Sequence, residues 1–376
     1  MEPQSVWRPE IIHPLKLFDA AQAQDRFLTV CAPMVRYSKL AFRQTVHHFG
    51  TDLCYTPMIL AKEFNRNQIA RDSDLTLAST APQPPTVVQF GANDPQELSR
   101  AATLVAPFVS GVDLNCGCPQ GWACAETLGA ALMERRELVR DMVVATRRRL
   151  DDDGWTRERE GGKGRSVSVK IRVHKDLRPR KTMDFIDTVL GSDPRFTPDW
   201  ITIHPRTRYT PSSTPIFTDS LNTLLEKYAS RVPILLSGDV FTTSSLPLTR
   251  NVFSRAATDS SPEDPFVPRP STTGLRGFMS ARGLLANPAL FAGYEACPWE
   301  AVEVFLNNVV KAPLPLALTL HHLSEMCGPG MGPDKSTLLT KAEKSRMMTM
   351  TNFLDVIDFL DGIMEARGYK DGIKRL

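Results

Sequence analysis

The chain of 376 residues contains no apolar run near the roughly 20 residues needed to cross a bilayer, so no membrane association is expected. Its N-terminal MEPQSVWRPEIIHP has no signal-peptide core, and an intracellular protein, cytoplasmic or nuclear and not secreted, is the expectation. Seven cysteines, an odd number with Cys116, Cys118 and Cys124 crowded together, do not suit a disulfide framework, and free thiols in a reducing compartment follow. Paired C-x₂₋₄-C spacing is missing as well: the three clustered cysteines lack a fourth ligand. His47 with His48, and His321 with His322, are adjacent and cannot share a helix face, so no metal site is expected. The net charge of +3 is too small to announce a polyanionic partner by itself.

What is present is an ordinary globular composition, 42% apolar and 23% charged, able to bury a large core. Eight short β-rich runs, at 28–32, 53–57, 86–90, 110–114, 167–171, 200–204, 233–236 and 275–279, are mostly followed by helix-like segments. Helical composition marks 95–106, 136–150, 181–190 and 219–229, the first entered through Asp94 and Pro95 as cap and first-turn pair. Eight β-then-α units specify an α/β fold, a (β/α)₈ TIM barrel over residues 25–298, behind an N-terminal extension at 1–24. Beyond Pro298 the β pattern stops. Helices at 300–310, 314–327 and 337–367 form a small C-terminal helical domain, 299–376. Two polar stretches, 151–165 and 242–274, read as mobile surface insertions without a catalytic role.

Charge is uneven along the chain. Residues 145–182 carry 13 Lys and Arg against 6 Asp and Glu, a face able to track phosphates or simply a solvated helix end and loop.

Polar residues cluster where the strands end. Pro33 and Met34 follow the first strand, Gln89 ends the third, and Asn115 and Cys118 follow the fourth. Lys170 ends the fifth and His204 the sixth. Gly238 and Asp239 follow the seventh, Ala281 and Arg282 the eighth. In a (β/α)₈ barrel this is the C-terminal mouth, where active sites lie and where phosphate is commonly held after strands seven and eight. A flavin mononucleotide needs such pieces: tight turns at SGDV (237–240) and SARG (280–283) for phosphate, Arg282 for charge, Lys170 opposite an anionic reduced ring, and Gln89 for the ring's amide edge. Singly, each residue has a bland alternative; their order on successive strand ends argues for a site. Cys118, in a turn after an apolar run, is placed to act as an acid or nucleophile, whereas Cys54 within DLCYTPMIL reads as structural.

The motifs CAPMV, VVQFGA, DLNCGCPQ, LGAALM, VKIR, ITIHPRT, SGD and ARGLLANPALF, in this order between about Leu28 and Tyr294, resemble the flavin-dependent tRNA-dihydrouridine synthases. CGCPQGWACAETLGAALM and MSARGLLANPALFAGYE look most like the eukaryotic branch acting on tRNA positions 20a and 20b. The resemblance implies that Pro33, Met34, Val35, Gln89, Asn115, Lys170, His204, Ser237, Gly238, Asp239, Ala281 and Arg282 hold FMN. It also implies that Cys118 is the catalytic acid, that NADPH or NADH recharges the flavin, and that the C-terminal helices grip tRNA. Departures are Ser237 where the family usually has Asn, Pro205 after His204, and the long 242–274 insertion.

Hydride delivered to the uracil carbon β to its carbonyl leaves negative charge on the α carbon, which a thiol protonates. Lys341, Lys344 and Arg346, on one C-terminal segment, are the expected tRNA contacts, and a monomer is expected. Two rivals stay open: a flavin barrel reducing a small molecule, and a tRNA-binding RNA-folding factor with little turnover.

Overall fold

The computed structural model describes residues 11–78, 83–176, 179–248 and 274–369. All eight expected strands are present, as β1 (Leu28–Cys31), β2 (Leu53–Tyr55), β4 (Thr86–Gly91), β5 (Gly111–Cys116), β6 (Ser166–Arg172), β7 (Ile201–His204), β8 (Ile234–Ser237) and β9 (Gly277–Ser280). They run parallel in the order β2-β1-β9-β8-β7-β6-β5-β4, and pairing of β2 with β4 closes the ring. A short strand missed in the sequence, β3 (Ile59–Leu60), pairs with the end of β4 beyond Pro57. The fold is a (β/α)₈ barrel.

Alternation along each strand sorts the side chains between two environments. On β5, Val112, Leu114 and Cys116 join the apolar layer under the outer helices, which puts Asp113 and Asn115 on the barrel's inner side. On β6, Val167, Val169 and Ile171 face outward, so Ser168, Lys170 and Arg172 face inward. The polar residues of the barrel therefore sit inside it, rising toward the mouth.

The opposite end is closed by hydrocarbon. Helix Pro14–Ala23 buries Phe18 and Ala21 against Leu28, Val30, Trp200 and Met279, filling the barrel's N-terminal end. His13 starts this helix, its Nδ1 accepting from Leu15 N at 3.2 Å.

The first part of the basic stretch 145–182, as far as Arg165, lies at that same closed end, while β6 carries Lys170 and Arg172 up to the mouth. Arg147 is fully buried and pairs with Asp199 just ahead of β7, Arg157 Nη2 joins that carboxylate at 2.7 Å, and Arg165 lies 4.3 Å over the Trp155 ring. The segment 151–165, expected to be mobile, is tied down: Thr156 pairs with Gly164, and Arg165 Nη1 donates to the Gly164 carbonyl at 2.7 Å. Ion pairing has absorbed the charge of Arg147, Arg149, Arg157 and Arg159, which looked free in the sequence. Of the other insertion, 249–273 lies outside the described residues.

The outer helices Pro95–Val105, Arg136–Asp152, Arg180–Leu190 and Thr218–Tyr228 match the sequence reading, with Asp94 Oδ1 accepting from Gln96 and Glu97 N at 2.9 Å. After Pro298, helices Trp299–Lys311 and Leu316–Met326 pack against helix Leu40–His48 through one cluster containing Phe42, Val46, Val302, Phe305, Leu320 and Leu323. The single helix expected at 337–367 is two, Lys341–Met347 and Phe353–Ala366. Each begins with its own cap: Thr340 and Glu343 form a reciprocal capping box, and Asn352 Oδ1 accepts from Asp355 N at 2.9 Å. No described helix is long and apolar enough to cross a membrane.

Candidate active site

A cavity of about 260 Å³ opens at the C-terminal mouth of the barrel. Its wall brings together Pro33, Val35, Gln89, Asn115, Cys118, Lys170, His204, Ser237, Gly238, Asp239, Ala281 and Arg282 from seven separate places in the chain. Met34 is the exception among the expected cofactor residues: it is absent from the lining and packs with Tyr37 against the cluster beneath the C-terminal helices. One residue along a loop has turned its side chain from cavity to core.

The floor of the cavity is a buried hydrogen-bond chain. Gln89 Nε2 donates to Asp113 Oδ2 at 2.8 Å, and Asn115 Nδ2 donates to Gln89 Oε1 at 2.7 Å. Asn115 Oδ1 accepts from Gly117 N at 2.9 Å and Cys118 N at 2.8 Å, which bends the chain so that Cys118 faces the cavity. Gln89 keeps one amide hydrogen and one lone pair for a ligand. The same loop requires glycine at 129, where φ is +59° and a Cβ would stand 2.5 Å from the Cys118 carbonyl.

The cavity is strongly cationic. Lys170, Arg172, Arg206 and Arg282 line it against one carboxylate among the described residues, that of Asp239, which is engaged by Arg206 Nη2 at 2.6 Å and Ile216 N at 2.9 Å. Burial and neighbouring Arg172 lower the Lys170 pKa to about 8. Burial, then Lys170 and the nearby arginines, push His204 down to about 2, so its ring is neutral. Burial raises the Cys118 thiol, which stays protonated at neutral pH despite the cations beside it. Gly238, at φ +109°, packs so closely on His204 that a Cβ would lie 2.8 Å from the ring.

Sequence reasoning missed three members of this wall and floor. Arg206 was quoted only as part of ITIHPRT, yet it is buried and binds the carbonyls of Thr214 and Ser212 as well as Asp239. Arg172, two residues after Lys170 and so on the same strand face, clamps Gly117 O and Thr207 O, each at 2.7 Å. Asp113 is two residues before Asn115 on the same inner face, and the alternation of DLN was the available signal.

The residues suit FMN. The ammonium of Lys170 makes no hydrogen bond among the described residues, Gln89 has unused amide capacity, and four cations surround a space lined by strand ends. An anionic, amide-edged heterocycle with a phosphate tail matches that donor set.

Residues 30–252 match the dihydrouridine synthase (Dus) family. The chain belongs to that family. It is 36% identical to the Homo sapiens tRNA-dihydrouridine(20a/20b) synthase-like protein over 92% of this chain and 93% of that one. It is 36% identical to the Schizosaccharomyces pombe tRNA-dihydrouridine(20a/20b) synthase over 94% of this chain and 93% of that one. With the Saccharomyces cerevisiae tRNA-dihydrouridine(20a/20b) synthase it shares 34% identity over 96% and 86% of the two chains. Membership and these identities over most of the chain make this protein a tRNA-dihydrouridine synthase, an oxidoreductase.

Proposed function

We propose that this dihydrouridine synthase reduces the uracil double bond of D-loop uridines in tRNA, at positions 20a and 20b as its relatives are named, with NADPH or NADH as reductant. The observation that carries this reading is the half-buried Cys118 thiol on the wall of a cationic cavity whose donor set suits a flavin. FMN, when bound, supplies hydride to the uracil carbon β to the carbonyl.

The chain's own residues do the rest. Lys170, Arg206 and Arg282 hold negative charge in the cavity, Gln89 reads an amide edge, and neutral His204 offers a donor without adding a proton of its own. Cys118 Sγ–H gives its proton to the carbon α to the carbonyl, on the face opposite hydride delivery. The target base leaves its stack to enter the mouth, since the reacting bond is inaccessible within a helix. Lys341, Lys344 and Arg346 are read as contacts to the tRNA backbone, the site of action as intracellular, and the working form as a monomer.

The test is direct. Purified protein, FMN and NADPH are incubated with unmodified tRNA transcript and dihydrouridine is mapped by position. Dihydrouridine at 20a or 20b is expected; its absence in every tRNA, with flavin bound and reducible, overturns the reading and favours a small-molecule reductase.

A further inference from the structure

We propose that Asp113, as a carboxylate, is a positioning residue for the Cys118 step: it sets the direction of the hydrogen-bond chain that runs through Gln89 and Asn115 to the Cys118 loop. The inference deepens the proposed function, since it takes Cys118 as the proton donor.

Direction is the essential property. A carboxylate accepts and never donates, so Gln89 must turn its amino group toward Asp113 Oδ2, at 2.8 Å. The Gln89 oxygen then faces Asn115, whose amino group donates to it at 2.7 Å. That leaves the Asn115 oxygen to accept from Gly117 N and Cys118 N, at 2.9 and 2.8 Å. Reversing either amide forces the next to reverse. At the end of a reversed chain Asn115 would offer an amino group to two N–H donors, and the loop would lose its anchor.

The surroundings hold Asp113 to this task. It is completely buried on β5, and Ser168 Oγ on β6 donates to its other oxygen at 2.6 Å. Tyr55 on β2 braces Ser168 at 3.4 Å and takes a bond from Trp200 Nε1 at 3.0 Å. Lys170 on β6 is the cation that acts on Asp113; Tyr55 and, on its own strand, Cys116 feel its negative charge. Burial lifts Asp113 to about 6 against these hydrogen bonds and Lys170. A protonated Asp113 has a hydrogen to give to the Gln89 oxygen, so the direction is no longer imposed below that pH.

The experiment compares wild type, Asp113→Asn and Ser168→Ala between about pH 5 and pH 8. Two readouts are taken on the flavin-loaded protein: amide hydrogen exchange at Gly117 and Cys118, and the rate at which tRNA reoxidises the NADPH-reduced flavin. In Asp113→Asn at about pH 7.5, exchange at both amides rises and reoxidation falls on the order of tenfold, with flavin content retained. The exchange ratio of variant to wild type shrinks toward one near pH 5, where the wild-type residue is neutral too. Ser168→Ala removes a bond that favours the carboxylate, so the wild-type transition moves to higher pH. Wild-type exchange and reoxidation in Asp113→Asn, or an unmoved transition in Ser168→Ala, overturn the proposal. If Asp113→Asn does not fold, Ser168→Ala decides alone. If wild type does not reduce tRNA, the proposed function fails, and amide exchange still decides the role of Asp113.

Discussion

Arg206 Nη1 stands 3.1 Å from His204 Nε2. A guanidinium only donates, so this ring nitrogen accepts and the imidazole carries its proton on Nδ1. With the ring pushed down to about 2 by burial and neighbouring cations, His204 holds that single tautomer throughout the working pH range. The pair thus converts a titratable residue into a fixed, neutral hydrogen-bond donor.

Arg206→Lys tests this coupling. A lysine does not reproduce the fork that reaches His204, Asp239 and the carbonyls of Ser212 and Thr214 together. FMN affinity, read by flavin fluorescence, is expected to weaken on the order of tenfold. Unchanged affinity would show that the arginine serves the loop and not the ligand.

Cys118→Ala removes only a proton. Flavin content and NADPH oxidation are expected to persist while dihydrouridine formation falls about a hundredfold or more, the range of general acid catalysis. Because burial raises the thiol, wild-type tRNA reduction should hold through the usual thiol range and decline only at more alkaline pH. Dihydrouridine formation at the wild-type rate in the alanine variant would remove Cys118 from the mechanism.

Lys170 contributes a charge that pH can withdraw. With its pKa lowered to about 8, the ammonium is present below that pH and lost above it. Affinity of the flavin-free protein for FMN should therefore fall between about pH 7 and pH 9, and Lys170→Ala should bind weakly at both. An equal pH dependence in the alanine variant would assign the effect to another group.

Much of this architecture was legible because barrel strands alternate. The eight runs are marked by apolar, β-branched composition, and the site by the polar residues ending them, with Gln89, Asn115, Lys170 and His204 on four successive strands. What escaped was set by partners distant in sequence. Arg147 looked like part of a basic face until Asp199 was found against it, 52 residues away. Met34 and Val35 differ only in which way a loop turns. The alternation of DLN puts Asp113 on the inner face with Asn115, but its partners Gln89 and Ser168 lie on other strands, distant in sequence. By contrast the break between the last two helices was readable, as Thr340 with Glu343 and Asn352 with Asp355 are both cap patterns.

The ionised Asp113 should cost stability. Its folded pKa of about 6 lies above the ordinary carboxylate value of 3.8, so its favourable contribution is complete at acid pH and is lost as pH rises through about 6. That displacement corresponds to on the order of 3 kcal/mol. Asp113→Asn should accordingly gain in Tm relative to wild type as pH rises from about 5 to 8. A Tm difference that does not change with pH would mean the buried charge is offset within the fold.

The C-terminal lysines separate two roles that the sequence joined. Lys344 Nζ lies 3.4 Å from the Ser324 carbonyl near the end of helix Leu316–Met326, so part of its work is closing that helix. Lys341 is exposed at the start of the next helix, and Arg346 is exposed with its guanidinium 5.2 Å over the Phe359 ring. Lys344→Ala should therefore lower Tm, whereas Lys341→Ala should leave Tm alone, weaken tRNA binding and reduce the salt slope by about one. Flavin reduction by NADPH should be unaffected in both, because neither residue lines the cavity. If Lys341→Ala leaves affinity and salt slope unchanged, the phosphate contacts do not rest on this helix. Within the 145–182 stretch Arg147 and Arg157 are paired with Asp199 at the closed end of the barrel, so the next residues to test are its mouth cation Arg172 and, beyond the stretch, Arg282.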